Sequence, residues 1–505
     1  MPHVVTQACC GDASCVYACP VNCIHPTPDE PGFGTAEMLY IDPTTCVDCG
    51  ACVTACPVGA IVPGHRLKPE QTRFAEVNAA QYGANSILGE VRFPVDMAKR
   101  LPLAPVATPG PLRAGPQHVA IVGSGPSAMY AADELLRLPN VTITMYERLD
   151  APFGLARYGV APDHTATRAV MHLFDDIARH ERLRILLGVE VGRDLTVDEL
   201  RARHDAVFWA GGAATDRPLG VAGTDAVGFA AATSLVGWYN DHPDFADAQF
   251  DLSAPRVIVI GNGNVALDVA RILTADPTGL ESTTIARGAL DTLRRKGIRE
   301  VVVVGRRGPR EAAFTLPELI GLVDHQDPTI FVDPADLVGV TADPDNITEQ
   351  EKLALLREIS QRTYTTEELA RPTIRFAFGL APAEIRTENG TVSGVRFARN
   401  TIAADGTATP TGEILDIDAG LVLSSVGYHG VAVPGLPFDE QSGVIPNDAG
   451  RVVDGDIPVP GVYVTGWIKR GPNGFIGTNK TDSAQSVASW RHDVETRSGR
   501  LSRGN

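Results

Sequence analysis

No cysteine follows Cys56 in this 505-residue chain, and no lysine or arginine precedes Arg66. The first absence excludes chemistry that needs a thiol pair anywhere in the long remainder of the chain. The thiols that do exist are nine, an odd number, packed between Cys9 and Cys56. That count and crowding argue against a secreted disulfide framework and for metal or redox work. The second absence leaves the first segment with Asp12, Asp29, Glu30, Glu37, Asp42 and Asp48 and no lysine or arginine to balance them. Long apolar runs are missing too. None approaches the roughly eighteen residues of a membrane span, so no membrane span is expected. Met1 to Cys10 has neither a basic start nor an apolar stretch, so it does not read as a secretory signal, and a cytoplasmic location is expected. A formal charge of −17 lacks the basic surface that nucleic acid requires. With 44% apolar and 21% charged residues, the composition is that of an ordinary globular protein. The length allows two to four domains.

The cysteines form an internal repeat. The second half reads Cys46-x2-Cys49-x2-Cys52-x3-Cys56-Pro57. This is the bacterial ferredoxin run, in which three thiolates hold one cluster and the fourth reaches across to another. Structural zinc sites instead pair two Cys-x2-Cys knuckles at long separation. The first half reads Cys9-x2-Asp12-x2-Cys15-x3-Cys19-Pro20, with Asp12 in the place of the middle cysteine. The crossover rule then assigns Cys19, Cys46, Cys49 and Cys52 to one four-iron cluster. It assigns Cys9, Cys15 and Cys56 to the other, with Asp12 at the fourth corner. A hard oxygen ligand holds iron beside sulfide less firmly than a thiolate does, so this site suits a three-iron or a labile four-iron cluster. Cys10 and Cys23 are left over as small neighbours of the clusters. The segment resembles a seven-iron bacterial ferredoxin, and Leu67 to Tyr82 resembles that family's C-terminal tail helix. The spacing Cys9-x5-Cys15 is shorter than is usual there.

A Pro- and Ala-rich stretch, 92–117, reads as a semi-stiff linker. Beyond it, strands and helices alternate, which points to an α/β layered fold. Two Gly-rich turns follow apolar strands. Gly123-Ser-Gly125-Pro-Ser-Ala128 follows HVAIV, and the next strand ends in Glu147, twenty-two residues after Gly125. A carboxylate there hydrogen-bonds ribose hydroxyls and repels a 2′-phosphate, so this turn suits FAD or NAD. Gly261-Asn-Gly263-Asn-Val-Ala266 follows RVIVI, and its next strand ends in Arg306-Arg307. Two guanidiniums at that place suit the 2′-phosphate of NADP. The long gap before them, 275–299, reads as an inserted loop.

Four strings carry a closer resemblance: PFGLARYGVAPDH (152–164), GNGNVALDVARIL (261–273), VVGRRGPREAAFTLPEL (303–319) and GWIKRGPNGFIGTNK (466–480). They resemble adrenodoxin-reductase-type ferredoxin–NADP reductases over residues 116–495. With the cysteine segment included, the whole chain is similar to ferredoxin/ferredoxin–NADP reductase fusions. The expected fold is an α+β ferredoxin domain followed by an α/β Rossmann-like flavoprotein with two dinucleotide-binding domains. The resemblance implies a ferredoxin domain with tail and linker over 1–105. It also implies an FAD domain split into 116–212 and 430–505 around an NADP domain at 213–429.

By the same resemblance, Gly123, Gly125, Ala128, Glu147, Leu155, Val191, Trp467, Gly474, Phe475 and Ile476 bind FAD. Asn262, Gly263, Asn264, Val265, Arg306, Arg307, Glu318 and Gly474 bind NADP(H), while His164 and Glu318 stand near the reacting rings. The implied activity takes hydride from NADPH to FAD and then passes single electrons to the clusters and to a ferredoxin or other one-electron acceptor protein. The alternative is an electron-input subunit of a larger enzyme, such as the small subunit of glutamate synthase. Flavin disulfide reduction lacks its cysteines, and a non-catalytic carrier does not need intact Glu147 and Arg306-Arg307.

Overall fold

The computed structural model describes residues 2–82, 109–324 and 328–501, of which 497–501 as backbone only. The cysteine repeat is a repeat in space. Two short helices, Ser14–Ala18 and Ala51–Ala55, each begin after a left-handed residue, Ala13 at φ 59° and Gly50 at φ 75°. Each ends on an extended cysteine, Cys19 (φ −75°, ψ 115°) and Cys56 (φ −78°, ψ 116°). Two antiparallel strand pairs flank them, His3–Val5 with Ile61–Pro63 and Ile24–His25 with Tyr40–Ile41. Strands this short do not hold themselves. The tail helix Arg73–Ala80 clamps them through Asn78, whose amide oxygen accepts from Val5 (3.2 Å) and Ile41 (2.9 Å). Its amide nitrogen donates to the Val5 carbonyl (2.9 Å), and the Tyr82 hydroxyl donates to the Tyr40 carbonyl (2.7 Å).

The stretch read as a linker lies outside the described residues up to 108. Its end is pinned rather than loose. Asn140 accepts from Leu112 N–H (3.0 Å) and donates to the Gly115 carbonyl (2.6 Å), and the Leu112 side chain is buried.

Two large sheets follow. The first has seven strands, and its parallel core runs Ile457–Val464, Ala206–Trp209, Gln117–Val122, Val141–Tyr146 and Leu183–Leu186. The second has six strands, all parallel, in the order Phe229–Ala231, Leu421–Ser424, Arg256–Ile260, Glu300–Val304, Thr373–Ala377 and Thr329–Val332. Their central strands are apolar at nearly every position because layers cover both faces. The first sheet therefore takes strands from both sides of the second in the sequence. The two chain crossings between them pair, Thr215–Asp216 against Tyr428–His429, close to Gly212 and Gly430. A three-stranded antiparallel sheet, 380–418, packs beside the second.

Residues 275–299 are not a loop. They hold two short helices, Pro277–Leu280 and Arg287–Leu293, with Leu280 and Leu293 buried against the helix Ala232–Tyr239 and its neighbours. The unusual length of the gap before Arg306 suggested an inserted loop, and the tertiary burial of its leucines makes it helical instead.

The cysteine segment does not stand apart. Cys10, Val58 and Ala60 join the apolar cluster of the helix Pro126–Leu136, and the core around Val4, Val5 and Phe74 is continuous with Leu316, Leu319 and Ile320.

Candidate functional site

The two Gly-rich turns share one construction. Their first glycines, Gly123 (φ 96°) and Gly261 (φ 116°), are left-handed. A Cβ there would strike the carbonyl oxygen of Ala210 at 2.6 Å and of Ser425 at 2.1 Å. The second glycines, Gly125 and Gly263, face the other way: a Cβ would meet no atom within 4 Å. Each cradle thus has a backbone floor and an open mouth at a helix N-terminus, Pro126–Leu136 and Asn264–Thr274. The open mouth fits the pyrophosphate of a dinucleotide.

What borders each mouth differs. At the first, the buried Glu147 accepts from Ser124 N–H (3.0 Å), Ser124 Oγ (2.6 Å) and Leu149 N–H (2.9 Å), which fixes its carboxylate beside the turn. Ala128 is buried in the helix behind. Phe153, at φ 87°, donates its N–H to the Ser124 carbonyl (3.1 Å), bringing Leu155, the first residue of the helix Leu155–Tyr158, up to the turn. Val191 lies farther along, in the apolar cluster with Tyr146 and Trp209. Across the cradle, Asp482 accepts from Gly466 N–H (2.6 Å) and Thr465 Oγ (3.0 Å), which places Trp467 at the start of the helix Trp467–Arg470. The Trp467 indole donates to the Asn473 carbonyl (3.1 Å), and Phe475 N–H donates to Thr478 Oγ (2.9 Å), so Gly474, Phe475 and Ile476 form a closed turn.

At the second mouth, Asn262 accepts from Ala313 N–H (3.4 Å) and Asn264 from Thr315 N–H (2.8 Å), so the turn is braced by the segment after Arg307. Val265 is partly buried behind it. Arg306 and Arg307 are exposed, and neither has an ion-pair partner among the described residues. Their backbones are anchored: the Arg306 carbonyl accepts from Asn400 Nδ2 and the Arg307 carbonyl from Gly379 N–H, both at 2.9 Å.

Between the mouths lies a polar network that joins His164 and Glu318, both expected there, to Asp163, Asp268 and Arg271, which the sequence reading did not single out. His164 Nε2 is 3.8 Å from both Glu318 Oε2 and Asp268 Oδ1. Arg271, buried, donates to Asp268 (2.9 Å) and to both oxygens of Asp163 (2.7 and 3.0 Å). Burial opposes ionisation of Asp163, but the Arg271 guanidinium prevails and draws its pKa down to about 2. Burial raises the Glu318 pKa, with Asp268 adding to the effect and His164, Arg271 and Gln7 opposing it. His164, Asp268 and Glu318 have the donor spacing of a metal site. Arg271 already supplies the positive charge to Asp268, so the set reads as a polar network. The hint in the sequence was a charged pair, Asp268 and Arg271, inside an otherwise apolar helix.

The cysteines gather in two groups. Cys19, Cys46, Cys49 and Cys52 line one small cavity with Cys23 and His3. Cys23 Sγ lies 3.4 Å from Cys19 Sγ. Contact with Cys23 is the main influence that lowers Cys46 to about 5 and Cys19 to about 6. Cys9, Cys15 and Cys56 form the second group. Burial dominates there and raises Cys9 to about 11. Asp12 beside them is turned to other partners. It accepts from Ser14 N–H (3.3 Å) and Ser14 Oγ, and it pairs with Lys480 Nζ at 3.4 Å. A long-range cation that no local spacing reveals thus stands beside the carboxylate that the repeat places at the fourth corner.

This second group abuts the first dinucleotide cradle. Gly477 N–H donates to the Cys10 carbonyl (2.8 Å), and Ile476, Cys9 and Cys56 border the same apolar cluster. On the other side, Gln7 Nε2 donates to Glu318 (3.0 Å), and Glu37 accepts from Leu316 N–H (2.6 Å) and pairs with Lys352 (3.3 Å).

Residues 8–60 and 38–87 match the 4Fe-4S dicluster domain, and residues 117–302 match the pyridine nucleotide-disulphide oxidoreductase family. Over 497 residues, 96% of this chain and 83% of the relative, the sequence is 51% identical to the probable ferredoxin/ferredoxin–NADP reductase of Mycobacterium tuberculosis. The chain belongs to the ferredoxin/ferredoxin–NADP reductase family. It is also 40% identical to human mitochondrial NADPH:adrenodoxin oxidoreductase, over 72% of this chain and 76% of that one. Among solved structures, Mycobacterium tuberculosis FprA in complex with NADPH superimposes with a TM-score of 0.71 at 44% identity, over 77% of this chain and 86% of that one. The docked segment is the 4Fe-4S ferredoxin-type domain of this fusion.

Proposed function

We propose that this chain is an NADPH-dependent ferredoxin–NADP reductase that feeds electrons through its own iron–sulfur segment to a ferredoxin or another one-electron acceptor. One observation supports this best: an acid-bordered and an arginine-bordered dinucleotide cradle share one chain, with a cysteine group packed on the loop of the first. FAD, when bound, supplies the conversion of a two-electron donor into single electrons.

The protein's part is binding and orientation. Glu147 receives the flavin-side ribose, Arg306 and Arg307 receive the 2′-phosphate, and the 152–164 and 466–480 strings bring backbone against the flavin ring. Leu155, Val191, Trp467, Gly474, Phe475 and Ile476 complete that pocket. Asn262, Gly263, Asn264 and Val265 cradle the NADP pyrophosphate, and His164 with Glu318 borders the nicotinamide. In domain terms we assign 1–105 to the ferredoxin with its linker, 116–212 with 430–505 to the FAD domain and 213–429 to the NADP domain. Cys19, Cys46, Cys49 and Cys52 hold a four-iron cluster. Cys9, Cys15 and Cys56 hold a three-iron cluster, since Asp12 is committed to Ser14 and Lys480. Among the described residues no helix is long and apolar enough to cross a membrane, and a cytoplasmic location is part of this proposal.

Anaerobic mixing of the purified chain with NADPH tests the reading. Flavin reduction followed by bleaching of the cluster absorbance is expected without any added protein. Reduction by NADH as fast as by NADPH, or a chain active only with a second subunit, would overturn it. The second outcome would restore the input-subunit reading.

A further inference from the structure

The fused ferredoxin touches the NADP side of the molecule as well as the flavin side. Gln7 stands in a turn fastened at Thr6, whose N–H donates to the Ala60 carbonyl (2.9 Å) and whose carbonyl accepts from Cys9 N–H (3.1 Å). From that turn its amide nitrogen reaches Glu318 Oε2 at 3.0 Å, across 311 positions of sequence. Glu318 lies in the first turn of the helix Leu316–Asp324. Glu37, also from the ferredoxin, accepts from Leu316 N–H at the helix start, where a carboxylate is favoured by the unpaired amides. Lys352 holds Glu37 in place at 3.3 Å. Gly321 sits in the helix interior, where glycine is disfavoured, and a Cβ there would lie 2.2 Å from Gln7 Nε2. The space a side chain would fill at position 321 is the space Gln7 occupies.

We infer that Gln7 is a positioning residue for Glu318, so that the docked ferredoxin completes the nicotinamide end of the NADP site. This rests on the placement of Glu318 beside the nicotinamide proposed above. Gln7 donates a hydrogen bond of 3.0 Å to a carboxylate whose next neighbours, His164 at 3.8 Å and Asp268 within 4.8 Å, stand farther off, and thereby fixes the carboxylate's rotation. Hydride transfer in this chain therefore depends on a residue from outside both nucleotide domains.

The test uses full-length protein with flavin and iron content verified. Flavin reduction by NADPH is followed by rapid mixing under argon, and NADP⁺ affinity is measured by calorimetry. Gln7→Ala should lower the limiting rate about tenfold, the worth of one hydrogen bond to a carboxylate, while the NADP⁺ dissociation constant stays within about twofold. Gln7→Glu keeps the shape but brings a second carboxylate to Glu318. It should be at least as slow as Gln7→Ala, whereas a space-filling role predicts that it behaves as wild type. Gly321→Ala displaces Gln7 from the opposite side and should reproduce the loss, which carries the test should the Gln7 variants lose iron. Wild-type limiting rates in these variants, with Glu318→Gln slow, would overturn the inference alone. A wild-type rate in Glu318→Gln would overturn the site assignment beneath it.

Discussion

Lys480 Nζ lies 3.4 Å from Asp12 Oδ2 and 2.8 Å from Ser14 Oγ, tying the first turn of the C-terminal helix to the position where the cysteine repeat lacks its thiol. Asp12 is buried and Lys480 largely so. The pair therefore does two things. It holds the first cysteine group against the 466–480 segment, and it sets a cation beside the carboxylate that stands in the repeat's missing thiol position.

The iron count follows from that pairing. Protein isolated in air should carry seven irons, one three-iron and one four-iron cluster. Asp12→Cys supplies a soft ligand in the repeat's own register and should raise the count to eight, with loss of the three-iron resonance. Iron analysis with electron paramagnetic resonance reads both. Eight irons retained by the wild type after ferricyanide oxidation would contradict the assignment.

Coenzyme choice should reside in Arg306 and Arg307, whose guanidiniums have no ion-pair partner among the described residues while their carbonyls are anchored. Replacing both by alanine should weaken NADPH binding by about 2–4 kcal/mol, from two lost charge-assisted contacts, and leave NADH use nearly unchanged. An unaltered ratio of kcat/KM for the two coenzymes in the double variant would rule this out.

The Arg271 network should be a stability element with a defined pH window. Asp163 ionises at about 2 in the fold, against about 3.9 unfolded. Its stabilisation is thus complete above about pH 4 and is lost as the pH falls through 2. The melting-temperature gap between wild type and Asp163→Asn should be flat from about pH 5 to 8 and narrow below about pH 4. Arg271→Met strands two carboxylates beside Glu318 and should cost about 3–5 kcal/mol. Denaturant titration of the flavin-containing protein measures it, and a loss under about 1 kcal/mol would show that the carboxylates find other partners.

Cleavage engineered between Pro102 and Pro109 should leave the ferredoxin seated. Cys10, Val58 and Ala60 share an apolar core with the helix Pro126–Leu136, and Arg73 pairs with Glu358 at 2.9 Å. The nicked halves should co-elute on size exclusion. The C-terminal part alone should still reduce ferricyanide with NADPH, at the lower limiting rate that loss of Gln7 implies. Independent elution of two folded halves from the nicked protein would contradict the shared core.

The sequence by itself determined the chemistry of this protein wherever that chemistry is local. Cysteines three or four residues apart, and glycines two residues apart at a strand's end, are constrained by short-range geometry, so the cysteine repeat and both Gly-rich turns were legible from spacing. The acid after one strand and the arginines after another were legible for the same reason. Only the tertiary structure decided how these parts meet. Asp12 finds Lys480 across 468 positions, Gln7 finds Glu318 across 311 and Arg271 finds Asp163 across 108. No periodicity or spacing encodes such pairs, because what joins them is the packing of separate layers onto shared apolar cores. The helices within 275–299 were hidden likewise, since the leucines that stabilise them are buried against partners that are distant in the chain.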